Sequence, residues 1–233
     1  MRMRLAGALL LYGLCSSHWI RAQGVDPNLI QEVSAVRVEV LRSKANLRQY
    51  TWIAHTEVSV KGDVKSSSAY KCGYDQSGNL VRTLAVTGEG MEVASGVSKK
   101  PKERRKAEMQ DYIERAVTRI YQYIPPDPEQ IDLLLKNGSA SLGRSTGGAS
   151  ELRFKDYFER GDTVIFTYDS ASKALLRASV ASSLGSAKDP VTLEAVFERL
   201  PDGVNHVSTA TLNATAKKVQ VNVKNVSYEK LAN

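Results

Sequence analysis

From Glu151 to the C-terminus the chain is an almost unbroken series of segments with apolar residues at every second position, and this series constrains the fold most. The segments cover 151–158, 162–169, 174–182, 191–200, 204–214 and 217–229. Turns fall at Arg160-Gly161-Asp162, Pro201-Asp202-Gly203 and Ala216-Lys217-Lys218. A period of two belongs to strands whose two faces meet different surroundings. The short connections join antiparallel neighbours and leave no room for crossover helices, which excludes a parallel sheet.

The same alternation precedes this run. Tyr50, Trp52, Ala54, Val58 and Val60 share one face of a strand over 50–60, and Lys61-Gly62-Asp63 turns the chain into a second strand over 64–74. Asp75-Gln76-Ser77-Gly78 leads to a third over 79–86. Three segments instead carry a helical period. Asp26-Pro27 opens the first, with Leu29, Ile30, Val33, Val36, Val40 and Leu41 as its stripe. Pro101 to Ile124 forms the second, with Met109, Tyr112, Ile113, Ala116, Val117 and Ile120 on one face, and Pro125-Pro126 stops it. Asp127-Pro128 begins a short third that Asn137-Gly138 ends. Residues 87–98 and 139–150 read as loops. The expected fold class is α+β: a curved antiparallel sheet of about nine strands with two to three helices packed on its concave face. With no linker and no repeat, residues 23–233 are expected to form one domain.

Residues 1–22 are expected to lie outside that domain. Met1-Arg2-Met3-Arg4 is basic, Leu5 to Cys15 is uncharged and apolar, and small polar residues lead to Ala22. This is the order of a secretory signal peptide. The apolar run is about 11 residues, too short for a bilayer that requires about 20. Cleavage near Ala22 removes Arg2, Arg4 and Arg21, lowering the net charge of +7 by three. It also removes Cys15, leaving Cys72 as the single thiol and no intramolecular disulfide. The expected location is periplasmic or secreted.

No residue pattern points to catalysis. The Gly138–Ser145 loop resembles a phosphate-binding loop but has Arg144 where Lys is required and lacks the preceding strand. His55 and His206 stand amid polar residues, have no partner at metal-ligand spacing, and are expected at the surface. Cys72 alternates with Tyr70 and Tyr74 and is expected to be buried and inert. No metal, cofactor or nucleic acid is expected, and the protein is expected to be a non-enzymatic monomer. Two features could bind something. The aromatic and branched residues of the strands fall on one face: Trp52 and Tyr70 early, then Phe154, Phe158, Phe166, Tyr168, Leu193 and Phe197. Facing them are Tyr112, Ile113 and Val117 of the second helix. These eleven residues form either a packed core or an apolar cavity, and periodicity does not separate the two. The second feature is basic: Lys99, Lys100, Lys102, Arg104, Arg105 and Lys106, interrupted by Glu103 and Pro101. Each such cation contributes about 1 kcal/mol near an anionic membrane, so this run is a candidate docking surface for such a membrane or an envelope protein.

The order of these parts also carries a resemblance. A leader, a first helix, the phrase Leu47-Arg48-Gln49-Tyr50-Thr51-Trp52, a hairpin with Asp75-Gln76-Ser77-Gly78, a helical insertion and a strand-rich tail with Leu200-Pro201-Asp202-Gly203 follow one another. The chain in this respect resembles the periplasmic lipoprotein-localisation (LolA/LolB-like) superfamily. The resemblance implies an open β half-barrel lidded by helices, with a hydrophobic cavity for acyl chains or another apolar ligand. The expected function is thus an exported carrier or binding protein for a lipid-like ligand. The alternative is an interaction protein of the same fold with a packed core and a basic docking helix.

Overall fold

The computed structural model describes residues 26–87, 101–123, 126–143 and 146–231, so the expected signal peptide lies outside the described residues. Helix α1 (Pro27–Leu47) is followed by strands β1 (Tyr50–Val60), β2 (Asp63–Tyr74) and β3 (Leu80–Thr87). Helices α2 (Pro101–Tyr121) and α3 (Pro128–Lys136) come next. The remainder is β4 (Ala140–Leu142), β5 (Ala149–Lys155), β6 (Thr163–Asp169), β7 (Leu175–Ser183), β8 (Pro190–Arg199), β9 (Asn205–Ala214) and β10 (Val219–Lys230).

The strands form one ten-stranded sheet in the order β3-β2-β1-β10-β9-β8-β7-β6-β5-β4. Every neighbouring pair is antiparallel. The sheet is curved and open, with β3 at one edge and β4 at the other. Hairpin order is broken once, where β10 returns to pair with β1 and sets Val60 opposite Val219. The tenth strand is β4, inside the stretch expected to be a loop; its three residues pair with Leu152–Phe154. The β1–β2 hairpin follows from Lys61-Gly62, both at positive φ (57° and 88°), the left-handed pair that a tight two-residue hairpin demands.

Helices α1 and α3 begin where their sequences cap them. Asp26 accepts a hydrogen bond from the Asn28 amide at 2.9 Å, and Asp127 accepts one from the Glu129 amide at 2.9 Å. The buried stripe of α1 is Leu29, Val33 and Val36, continuing through half-buried Val40, buried Ser43 and half-buried Leu47. Ile30 and Leu41, expected on that stripe, are exposed. Helix α1 packs on β9, α2 on β8 and β9, and α3 on β4 and β5. Helical cover is thus concentrated on the β4–β9 part of the sheet.

Under that cover the core is dry and dense. Tyr112, Ala116 and Ile120 of α2 and the following Tyr123 meet Leu152, Phe154, Val164, Phe166, Tyr168 and Val180 of the strands. Buried phenols need partners for their hydroxyls, and each has one. Tyr112 donates to Asp189 at 2.6 Å, Tyr123 to Asp162 at 2.5 Å and Tyr168 to Glu32 at 2.7 Å, while the Tyr157 oxygen accepts from the Asp127 amide at 3.1 Å. Burial, strengthened by the carboxylate partners of the first and last, pushes Tyr112, Tyr157 and Tyr168 up to about 12. Asp162 is 3 % exposed and organises a small network. It also accepts from Ser182 and from the Glu159 amide, both at 2.8 Å. Arg119 donates to Ser182 at 3.1 Å and forms an ion pair with Glu159 at 2.9 Å.

Candidate functional site: an apolar cavity

The sheet is not covered equally. Beside the dense region, a partly open cavity of about 340 Å3 lies between the C-terminal half of α1 and the concave face of the sheet. A volume near 300 Å3 or above is what a small-molecule site typically offers. Its walls follow from strand parity. Trp52, Ala54 and Thr56 come from β1, Tyr70, Cys72 and Tyr74 from β2, and Leu80 and Arg82 from β3. The opposite wall includes Leu193, Ala195 and Phe197 of β8 and Ala210 and Leu212 of β9. Val40, Ser43, Lys44 and Leu47 of α1 form the roof, together with Val117 and Ile120 of α2. The same helical stripe thus packs into solid core through Leu29, Val33 and Val36 and roofs a cavity through Val40, Ser43 and Leu47.

An aromatic group holds the β1–β10 side open. Trp52 stacks on Tyr228 with centroids 5.5 Å apart and planes 17° apart, and meets Tyr74 at 5.8 Å. His206 lies 4.1 Å from the Tyr228 ring. The polar wall residues are bonded to the protein itself. Asn205 donates to the Leu175 carbonyl at 2.9 Å, and Asn225 and Tyr228 donate to the Val207 carbonyl at 2.9 and 3.3 Å. The His206 Nδ1 lies 3.1 Å from that same oxygen. The lining is otherwise largely apolar. Among the described residues, the only charged side chains that line it are Lys44 and Arg82, both exposed.

The cavity takes in Trp52, Tyr70, Val117, Phe166, Leu193 and Phe197 from the aromatic and branched set expected from sequence. Phe154, Tyr168 and Tyr112 are instead closed core, between 1 and 2 % exposed, and Ile113 packs against that core. Phe158 departs further. Strand β5 ends at Lys155 because Asp156 takes a positive φ of 54°, so Phe158 sits in the following turn, 41 % exposed. His55 is exposed, but His206 is buried in the cavity wall, contrary to the surface position expected of it. Cys72 is buried, its thiol pushed up by burial.

The described side chains of the basic run are not part of this site. Lys99 and Lys100 lie outside the described residues, and Lys102 belongs to α2 without a described side chain. Arg104, Arg105 and Lys106 are exposed, and Arg104 pairs with Glu108 at 3.2 Å one turn along the helix. Such an exposed pair contributes little. Arg104, Arg105 and Lys106 do not line the cavity. Among the described residues no three His, Cys, Asp or Glu side chains gather as a metal site, and no helix is long and apolar enough to cross a membrane.

No protein family's sequence model matches the chain, and no curated protein matches it. Solved structures resemble it distantly. A DUF1329 family protein from Desulfovibrio piger has a TM-score of 0.40 and 11% sequence identity, over 85% of this chain and 92% of that one. A domain described as an outer membrane lipoprotein-sorting protein, from Vibrio parahaemolyticus, has a TM-score of 0.36 and 8% identity, over 85% and 93%.

Proposed function

We propose that this chain is an exported, non-enzymatic binding protein that shelters an acyl chain or a comparable apolar ligand between α1 and the concave face of its sheet. The observation that carries the reading is the apolar cavity of about 340 Å3, roofed by Val40, Ser43 and Leu47 and walled by Trp52, Tyr70 and Phe197. A packed interior would favour the alternative, a docking protein that uses its basic helix; the cavity favours a ligand.

Magnitudes limit the ligand. Each methylene moved from water into such a cavity contributes about 0.8 kcal/mol. Association costs at least about 4 kcal/mol, so chains shorter than about five carbons should bind negligibly. Long acyl chains fit the energetics and the largely apolar lining. Export is supported by the basic and apolar order of residues 1–22. Native mass spectrometry of protein gently extracted from its source should find a bound lipid-like molecule, released on denaturation. Protein that is free of lipid when isolated and takes up no added long-chain amphiphile would count against the reading.

A further inference from the structure

The cavity's rim has a sign. Among the described residues its two charged lining residues, Lys44 on α1 and Arg82 on β3, are both cations, and no Asp or Glu lines it. They belong to different walls: Lys44 is next to Ser43 in the roof, whereas Arg82 is opposite Cys72 in the β2–β3 ladder. A third cation stands close by. Arg48 is one helical turn beyond Lys44, and its guanidinium covers Gly78 in the β2–β3 turn so closely that a Cβ there would meet Nη2 at 2.3 Å. Its charge acts on Tyr74, a lining residue. The carboxylate of that turn, Asp75, is already held by the Asn79 amide at 2.8 Å and its side chain at 3.2 Å.

Inside, the lining is largely apolar, and Asn205, Asn225 and Tyr228 direct donors to backbone carbonyls. β3 is an edge strand of the sheet, and its exposed Leu80 and Leu84 add apolar surface beside Arg82. Apolar interior and cationic rim together describe an amphiphile with its chain inside and a negative head outside. Building on the function proposed above, we infer that the ligand is an anionic amphiphile, a long acyl chain whose single carboxylate or phosphate lies at the rim beside Lys44 and Arg82.

The test compares ligands of equal chain length by titration calorimetry at low salt, on delipidated protein. Palmitate carries a carboxylate, lysophosphatidic acid a phosphate, and monopalmitoylglycerol no charge. At least one anion should bind about tenfold tighter than the neutral lipid, the size that two exposed ion pairs can supply. The tighter of the two anions identifies the headgroup. The double variant Lys44→Gln, Arg82→Gln should bring the ratio of anion to neutral-lipid affinity to about one. Its melting temperature, measured beside the parent's, separates lost charge from lost fold. Equal affinity for neutral and anionic lipids would overturn the inference and leave the apolar cavity standing. So would a preference for anions that survives in the double variant. Failure of all three lipids to bind would overturn both readings.

Discussion

The two ends of the sheet begin from the same material and come to different results. Over β4–β9, three helices lie on alternating strands, and residues such as Phe154, Val164 and Val191 are at most 1 % exposed. Toward β1–β3, the strands alternate just as well, but among the described residues what roofs the cavity beside them is the end of α1 with Val117 and Ile120 of α2. There Trp52, Ala54 and Cys72 form a small separate cluster beside a cavity. The lesson concerns coverage. A sheet face becomes core only where a helix presents side chains large enough to meet it, and the α1 stripe changes from Leu29, Val33 and Val36 to Val40 and the small Ser43 where the cavity begins. Polar fastening joins elements at both ends: the covered end through Tyr112, Tyr123 and Tyr168 on carboxylates, the open end through Tyr50 on Asp202 and through Asn225 on the backbone of the neighbouring β9.

The strongest way to break this contrast is to remove the fastening of the covered end. Asp162→Ala strips partners from Tyr123, Ser182 and Arg119 and should cost about 3 kcal/mol or more, as loss of one member of a buried charged network does. Urea unfolding with an unchanged m-value measures it. A pair of insertions sharpens the contrast. Ala116→Leu adds volume to a site with 0 % exposure and should cost about 1–3 kcal/mol. Ala54→Leu points into the cavity and should cost well under about 1 kcal/mol while sharply weakening uptake of palmitate. Equal costs would mean that the two ends are packed alike.

Smaller effects follow at the edges of the covered end. Glu32 accepts from Tyr168 and from Lys173, the latter at 2.8 and 2.9 Å, and the lysine above all holds its carboxyl below the ordinary range. A carboxylate lowered in the folded state adds stability that is present above its unfolded value and is lost as pH falls through the folded one. Glu32→Gln should therefore cost about 0.5–1 kcal/mol at pH 7, and the difference from the parent should shrink in thermal melts as pH drops below about 4. Smallest of all, Arg104→Gln on exposed α2 removes the pair with Glu108 and should change stability by about 0.3 kcal/mol, within measurement error at high salt.

Much of the architecture is legible in the residues, because period two and short turns leave a meander as the only arrangement. What is not legible has local causes. β4 is three residues long in a Gly/Ser-rich stretch, too short to show a period. Tyr228 does not share the parity of Val221 and Val223; a one-residue shift in the β1–β10 register, with Ser227 at a positive φ of 55°, turns it into the cavity. Bulges reverse the very signal on which sequence reading relies. His206, by contrast, keeps the parity of Ala210 and Leu212, and alternation along β9 itself leads it to the cavity wall beside Tyr228. The cavity itself depends on where helices stop over the sheet, which no strand records. Tyr112, Phe154 and Tyr168 look like Trp52 and Phe197 in sequence and differ only in what lies above them.

The central claim, that an acyl chain lies inside the open end, can be tested at one indole. The chain has two tryptophans, Trp19 in the expected leader and Trp52 in the cavity wall. In a Trp19→Phe chain, palmitate brominated along its length should quench Trp52 fluorescence saturably, because bromine acts only near contact, and unbrominated palmitate should displace it. Binding of the brominated chain without quenching, or no saturable quenching at all, would contradict the account.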